Sequence, residues 1–168
     1  QSIEYGIRMS KMIDDVTKAL DDYDLSSAID PLINFIDQLN NWYIRRSRKR
    51  FSRTENRQDT IEAFETLYLA LKTFCLCAAP FIPFIAEEMW QNLKTSEDKE
   101  SVHLCDYPVY NEKFRDEELE FQMASVQKAV SMGRSLRNTF NLKNRQPLAS
   151  VALVTRNAEE KKVLDSMR

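Results

Sequence analysis

Glycine is nearly absent from this chain, with two residues in 168, and only five prolines accompany them. So few glycines exclude a glycine-rich phosphate loop and the close-approach turns of a dinucleotide crevice, and so few turn formers exclude a β-sandwich. Cysteine is equally sparse, three residues in an odd set without the paired spacing of a zinc site. Cys75 and Cys77, two apart on a helix, point in nearly opposite directions, so buried free thiols are expected and no metal site is assigned. The single histidine, His103, has no sequence partner for acid–base chemistry and is assigned a hydrogen-bonded structural role. No apolar run reaches the roughly 20 residues of a membrane span. The opening QSIEYGIRMSK has neither the basic start nor the apolar centre of a secretory signal. A soluble, cytoplasmic protein that touches no membrane is the expectation.

What the chain does have is helix-forming sequence, 43% hydrophobic and 10% aromatic, with Leu, Ala, Glu, Lys and Gln in long uninterrupted stretches. That composition predicts an all-α fold with a proper core. The formal charge of −2 hides strong blocks: −5 over residues 1–44, +6 over 45–57, −9 over 58–120 and +6 over 121–168. A polyanion would be drawn to two sectors and repelled by two, which is directed recognition rather than diffuse coating.

Hydrophobic periodicity predicts a bundle of about five helices with a short strand–helix tail. Ile3, Ile7, Met9, Ile13, Val16 and Leu20 mark the first helix, and Asp24 is the expected N-cap of a second running from Leu25 to about Phe51, with only Pro31 against it. Residues 52–56 read as a polar linker. The third helix, ending at Pro80, is apolar nearly all round after Phe64 and is placed at the centre. A fourth restarts near Pro83, with Phe84 and Trp90 assigned to the core. Its neighbours Glu87 and Glu88 point about 100° apart, which argues against a paired-carboxylate site. A fifth helix covers residues 115 to about 140, acidic at its start and basic at its end. PLASVALVT is then predicted as a strand, and a last helix follows Asn157. The domain expectation is a helical domain over 1–143, and over 144–168 a connector with the start of a small α/β element. Because a lone strand cannot satisfy its edges, the chain is expected to continue past Arg168.

NNWYIRRSRKRF, residues 40–51, carries the chemistry. Five cations follow an aromatic and two amides with no acid among them. Turned at 100° per residue, Leu32, Ile36, Leu39 and Tyr43 form the buried stripe, while Asp37, Asn41, Arg45 and Arg48 face away, and Trp42 lies at the border. Amides, a ring and guanidinium groups on one surface are the components used to hold single-stranded nucleic acid. The bland alternative is a core tryptophan followed by a solvated cationic helix end beside the negative pole of the dipole. Composition alone leaves both open.

In order and spacing, NNWYIRRSRKRF, TLYLALKTFCLCAAPFIPFIAEEMWQNL, SVHLCDYP and RSLRNTFNLKNRQPL resemble the C-terminal anticodon-binding region of class I isoleucyl-tRNA synthetases. The resemblance spans roughly residues 10–155. APFIPFIAEEMW is shared with the valyl and leucyl enzymes; NWYIRR with NRQPL points to isoleucine. Ser52 departs from the pattern, where an aromatic residue is expected. The resemblance implies a helical bundle that grips the anticodon stem-loop of tRNA, joined to a catalytic domain of the same chain that uses ATP and Mg to attach isoleucine. No cofactor, metal or catalytic residue is assigned to this segment, and a monomer is expected. By position, Asn41, Trp42, Arg45, Arg46, Lys49 and Arg50 are the implied contacts to the anticodon arm, with Arg48 and Arg53 binding phosphate. Arg134, Arg137, Lys143 and Arg145 form a secondary basic sector. The alternatives are the corresponding valyl module and a helical protein-interaction scaffold with a basic docking helix.

Overall fold

The computed structural model describes residues 2–52, 57–109, 116–155 and 157–166, with only the helical backbone described for residues 2–5 and 117. The chain divides into two compact units, Gln1–Arg115 and Asp116–Arg168. Among the described residues every regular element is a helix, as the composition predicts.

In the first unit, α1 (Ser2–Asp21) and α2 (Leu25–Gln38) form an antiparallel pair. Between them, Tyr23 takes a left-handed conformation at φ 56°. The Tyr23 and Asp24 amides donate back to Leu20 and Ala19, closing α1 with a Schellman motif. Asp24 then caps α2 as expected, its carboxylate accepting from the Ser27 amide at 3.1 Å. Pro31 lies inside α2 beyond the first turn.

The helical path runs on from Leu25 to Ser52, matching the predicted extent, but it is not uniform. Leu39–Ile44 form a π-helical turn before α3 (Arg45–Ser52) begins. The buried row explains why. Leu32, Phe35, Leu39, Tyr43 and Ser47 are all buried and Phe51 is half-buried, so from Phe35 onward the spacing is four residues. In a regular α-helix each four-residue step overshoots a turn by about 40°, and such a row would drift off the core. The wide turn absorbs about one extra residue and keeps Tyr43, Ser47 and Phe51 facing inward.

Helix α4 (Arg57–Ala78) is the central element, packing against α1, α2, α3 and α5 (Pro83–Leu93). It separates two cores. Phe74, Cys77 and Ala78 join Met12, Val16, Leu32, Phe35 and Tyr43 in the larger one. Cys75 joins Ala86, Trp90 and Val102 in the smaller. The two thiols do point apart, and burial pushes Cys75 up to about 11 and Cys77 up to about 12, so both stay protonated.

Around the smaller core, Trp90 Nε1 donates to the Lys99 carbonyl at 3.1 Å and Tyr68 Oη to that of Leu93 at 2.9 Å. Lys72 sits 5.3 Å from the centroids of both the Tyr68 and Trp90 rings and bonds Asp98 at 2.5 Å. That ammonium first, and then the Thr95 amide, hold the Asp98 carboxyl down to about 2. Glu87 likewise pins a loop, accepting from Ser101 Oγ and the Val102 amide at 2.8 and 3.0 Å and so fixing the 3₁₀ turn Val102–Leu104. His103 lies exposed on that turn.

One core assignment is corrected. Trp90 is buried, but Phe84 is 89% exposed. Pro83 starts α5, and Phe84 lies two residues, about 200°, from the buried Ala86.

In the second unit, Asp116 caps α6 (Glu117–Thr139) by accepting from the Leu119 amide at 2.9 Å, and Asn157 Oδ1 accepts from Glu159 at the start of α7 (Ala158–Ser166). Asn141, at φ 53°, closes α6 in the left-handed conformation that asparagine tolerates. The strand expected over 147–155 is not formed: residues 150–155 pair with no ladder among the described residues, and most of their side chains are exposed. A short apolar run rich in valine has strand propensity, but a strand needs a neighbour to bond.

Candidate nucleic-acid interface

The cationic surface is positioned by its inner side. Tyr43 Oη donates to the Ala63 carbonyl at 2.8 Å, and the Phe51 ring lies 6.2 Å from Tyr43 and 4.9 Å from Phe64. Thr60 Oγ1 donates to the Arg50 carbonyl at 2.8 Å. These contacts hold the π turn and α3 along α4 and fix which side faces out.

On the outer side, Asn41, Arg45, Arg46, Arg48 and Lys49 are all exposed. Among the described residues no carboxylate pairs with Arg45, Arg46, Arg48 or Lys49. A purely regular helix counted from Leu32 would have put Arg46 about 40° from the centre of the buried stripe and Arg50 on it. The π turn swings Arg46 out. Its guanidinium carbon stands 5.9 Å from the centroid of the half-buried Trp42 ring. A cation beside one indole face and a partly solvent-facing ring are compatible with base stacking and phosphate contact on the same patch.

One amide and one cation of the predicted set already have partners. Asn41 Nδ2 donates to Asp37 at 2.6 Å, which fixes the side chain and leaves its oxygen as an acceptor. Arg50 is half-buried and bonded to Asp59 through Nε and a terminal nitrogen, both at 2.7 Å; the Asp59 bond raises the guanidinium's already high pKa. Ser52 Oγ donates to the Arg48 carbonyl at 2.6 Å, a local bond at the position where an aromatic is expected. Arg53 lies outside the described residues.

The secondary sector is in the other unit. Arg134, Lys143 and Arg145 are exposed, whereas Arg137 donates to the carbonyls of Lys143 and Gln146 at 2.8 and 2.9 Å and so ties down the NLKNRQ connector. Sequence reasoning missed the π turn and the partners of Arg50 and Arg137. The four-residue spacing of buried side chains from Phe35 to Phe51 was the available signal for the first; the others depend on tertiary contacts.

Among the described residues no three His, Cys, Asp or Glu side chains converge as a metal site, and no helix is long and apolar enough to cross a membrane. What the residues do bring together is one exposed patch: a fixed amide, one ring and four cations without acidic partners among the described residues.

Comparison with known proteins gives a consistent picture. The profile of the family described as "Anticodon-binding domain of tRNA ligase" matches residues 7–153. An isoleucine–tRNA ligase of Treponema denticola is 63% identical over 157 residues, 94% of this chain and 14% of the relative. One from Treponema pallidum is 49% identical over the same shares. One from Protochlamydia amoebophila is 46% identical over 95% of this chain and 15% of its own length. The chain thus spans about one seventh of the curated relatives it matches.

Proposed function

The chain belongs to the family of anticodon-binding domains of tRNA ligases, and from that premise we propose that it grips the anticodon arm of an isoleucine tRNA on behalf of an isoleucine–tRNA ligase. The observation that carries this reading is the row Arg45, Arg46, Arg48 and Lys49, exposed and without acidic partners among the described residues, beside Asn41 and Trp42 on one rigid helical path. The cations neutralise phosphates, Trp42 offers a ring to an unstacked base, and the Asn41 oxygen accepts from a base edge. By sequence position Arg50 and Arg53 are assigned the same role, and the second sector, Arg134, Arg137, Lys143 and Arg145, adds phosphate contacts.

The domain performs no chemistry itself. Adenylate formation with ATP and Mg²⁺ belongs to the catalytic part of the same cytoplasmic, monomeric polypeptide. Binding energy collected here is remote from the reacting atoms: only a tRNA with the right anticodon delivers its distant 3′ end to the catalytic site. Isoleucine rather than valine specificity is supported by the names of the relatives.

The test is charge reversal, Arg45→Glu with Arg48→Glu, in the ligase, titrated with isoleucine tRNA at two salt concentrations. Weaker binding and a salt slope shallower by about 1 per lost phosphate contact are expected. Unchanged affinity would favour a protein-docking helix, and preference for a valine anticodon stem-loop would reassign the substrate.

A further inference from the structure

The first unit also presents an apolar face that no described residue covers. Ile29 and Ile33 on α2 are 41% and 61% exposed, and Ile82, Phe84 and Ile85 at the start of α5 are 39%, 89% and 60% exposed. They form one surface: Ile33 and Ile82 line the same groove, of about 440 Å³, with Phe74 and Phe81 as part of its floor. Ile29 lies one turn before Ile33, and Ile85 one turn after Ile82. Pro80 and Pro83 stiffen the turn that presents Phe84. An apolar patch of this kind on a rigid support marks an interaction surface.

Its charges indicate what fits. Neither α2 nor α5 contains a lysine or arginine, while Asp30, Asp37 and Glu88 lie exposed around the patch. A phosphate backbone would meet an acidic rim with no cation on either helix to neutralise it. Two copies meeting through this same face would oppose the same acids across a two-fold axis. A protein surface with an apolar centre and a cationic rim fits instead. The relatives named above are about seven times longer than this segment, so a ligase of their kind contains much polypeptide able to supply one.

We propose that the face formed by α2 and the start of α5 seats another part of the same ligase polypeptide, through an apolar surface rimmed by Lys or Arg. The inference rests on the chain being one domain of a larger ligase, and not on the RNA contacts of α3. It gives the domain two functional surfaces, joined at Asp37: a cationic one for tRNA and an acid-rimmed apolar one for the body that must feel tRNA binding.

The experiment uses the full-length ligase with photoreactive benzoylphenylalanine in place of Phe84, irradiated without RNA and again with isoleucine tRNA, with the same probe at the exposed Tyr23 as control. An intramolecular cross-link from position 84 to a peptide outside these 168 residues, formed without RNA, is expected. A cross-link inside the 168 residues, a dimer-sized product, a product seen only with tRNA, or no product above the Tyr23 control would each overturn the proposal. Covalent footprinting of the unmodified enzyme provides the second measurement: Phe84 should lose labelling in the absence of RNA, and labelling as strong as that of Tyr23 would refute docking. Both readouts precede tRNA addition, so they can fail while the α3 charge reversal succeeds, and the reverse.

Discussion

Tyr23 is a side chain held in a conformation that suits glycine. At φ 56° and 92% exposed, it incurs the left-handed penalty with almost no packing in return. That penalty is roughly 1–2 kcal/mol, against roughly 0.5–1 kcal/mol for the extra unfolded-state freedom of glycine. Tyr23→Gly is therefore expected to stabilise the chain by about 0.5 kcal/mol in denaturant titrations; a loss would mean the ring has a contact of its own. Trp42 poses the opposite question, because its ring is half-buried and could belong to core or ligand. Trp42→Ala should weaken tRNA binding by about 1–3 kcal/mol if a base stacks there. An equal loss in the unfolding free energy of the RNA-free protein would assign the ring to packing instead. Tyr43 is unambiguous: its hydroxyl is buried and donates to Ala63, so Tyr43→Phe should cost about 1 kcal/mol in stability.

At the scale of elements, the π turn sets the direction of the cationic row. The buried positions are spaced as if the helix held one residue too many, and the widened turn accommodates it. Deleting Asn40 is accordingly expected to convert the turn to regular helix while Tyr43, Ser47 and Phe51 remain inward, leaving helicity by circular dichroism almost unchanged. Deleting Lys49, where no widened turn exists to absorb the change, should rotate Phe51 off α4 and lower the melting temperature. This contrast also shows what the sequence made legible. Helix starts were readable because their signals are local: Asp24 and Asn157 each bond an amide two or three residues on, and Pro83 needs no partner at all. The outward setting of Asn41, Arg45 and Arg48 followed from the same local periodicity. Phe84 was misplaced because apolar character does not say which way a first-turn residue points, and residues 150–155 were misplaced because strand formation depends on a partner that propensity cannot supply. The Arg50–Asp59 pair joins two helices and was beyond any single-helix reading.

For the whole molecule, the pair Lys72–Asp98 ties α4 to the loop after α5 and makes stability depend on acid. The Lys72 ammonium holds the folded Asp98 carboxyl down to about 2, below the ordinary carboxylate value of about 3.9. Its contribution is therefore whole above about pH 4 and is lost as pH falls toward 2. Asp98→Asn should lower the melting temperature at neutral pH, and the gap from the parent should close by about pH 2, a course that circular dichroism melts across that range would follow. Helix α4 has a wider consequence, since neighbouring thiols on it face two separate interiors. With one helix as their shared wall, neither interior can liquefy while the other stays solid. The two tryptophans are natural reporters of this: Trp90 sits within the smaller interior, and Trp42 rides the helical path that walls the larger. Their fluorescence midpoints on heating are expected to coincide, and so the end that carries the cationic row and the end that anchors Lys72 should give way together.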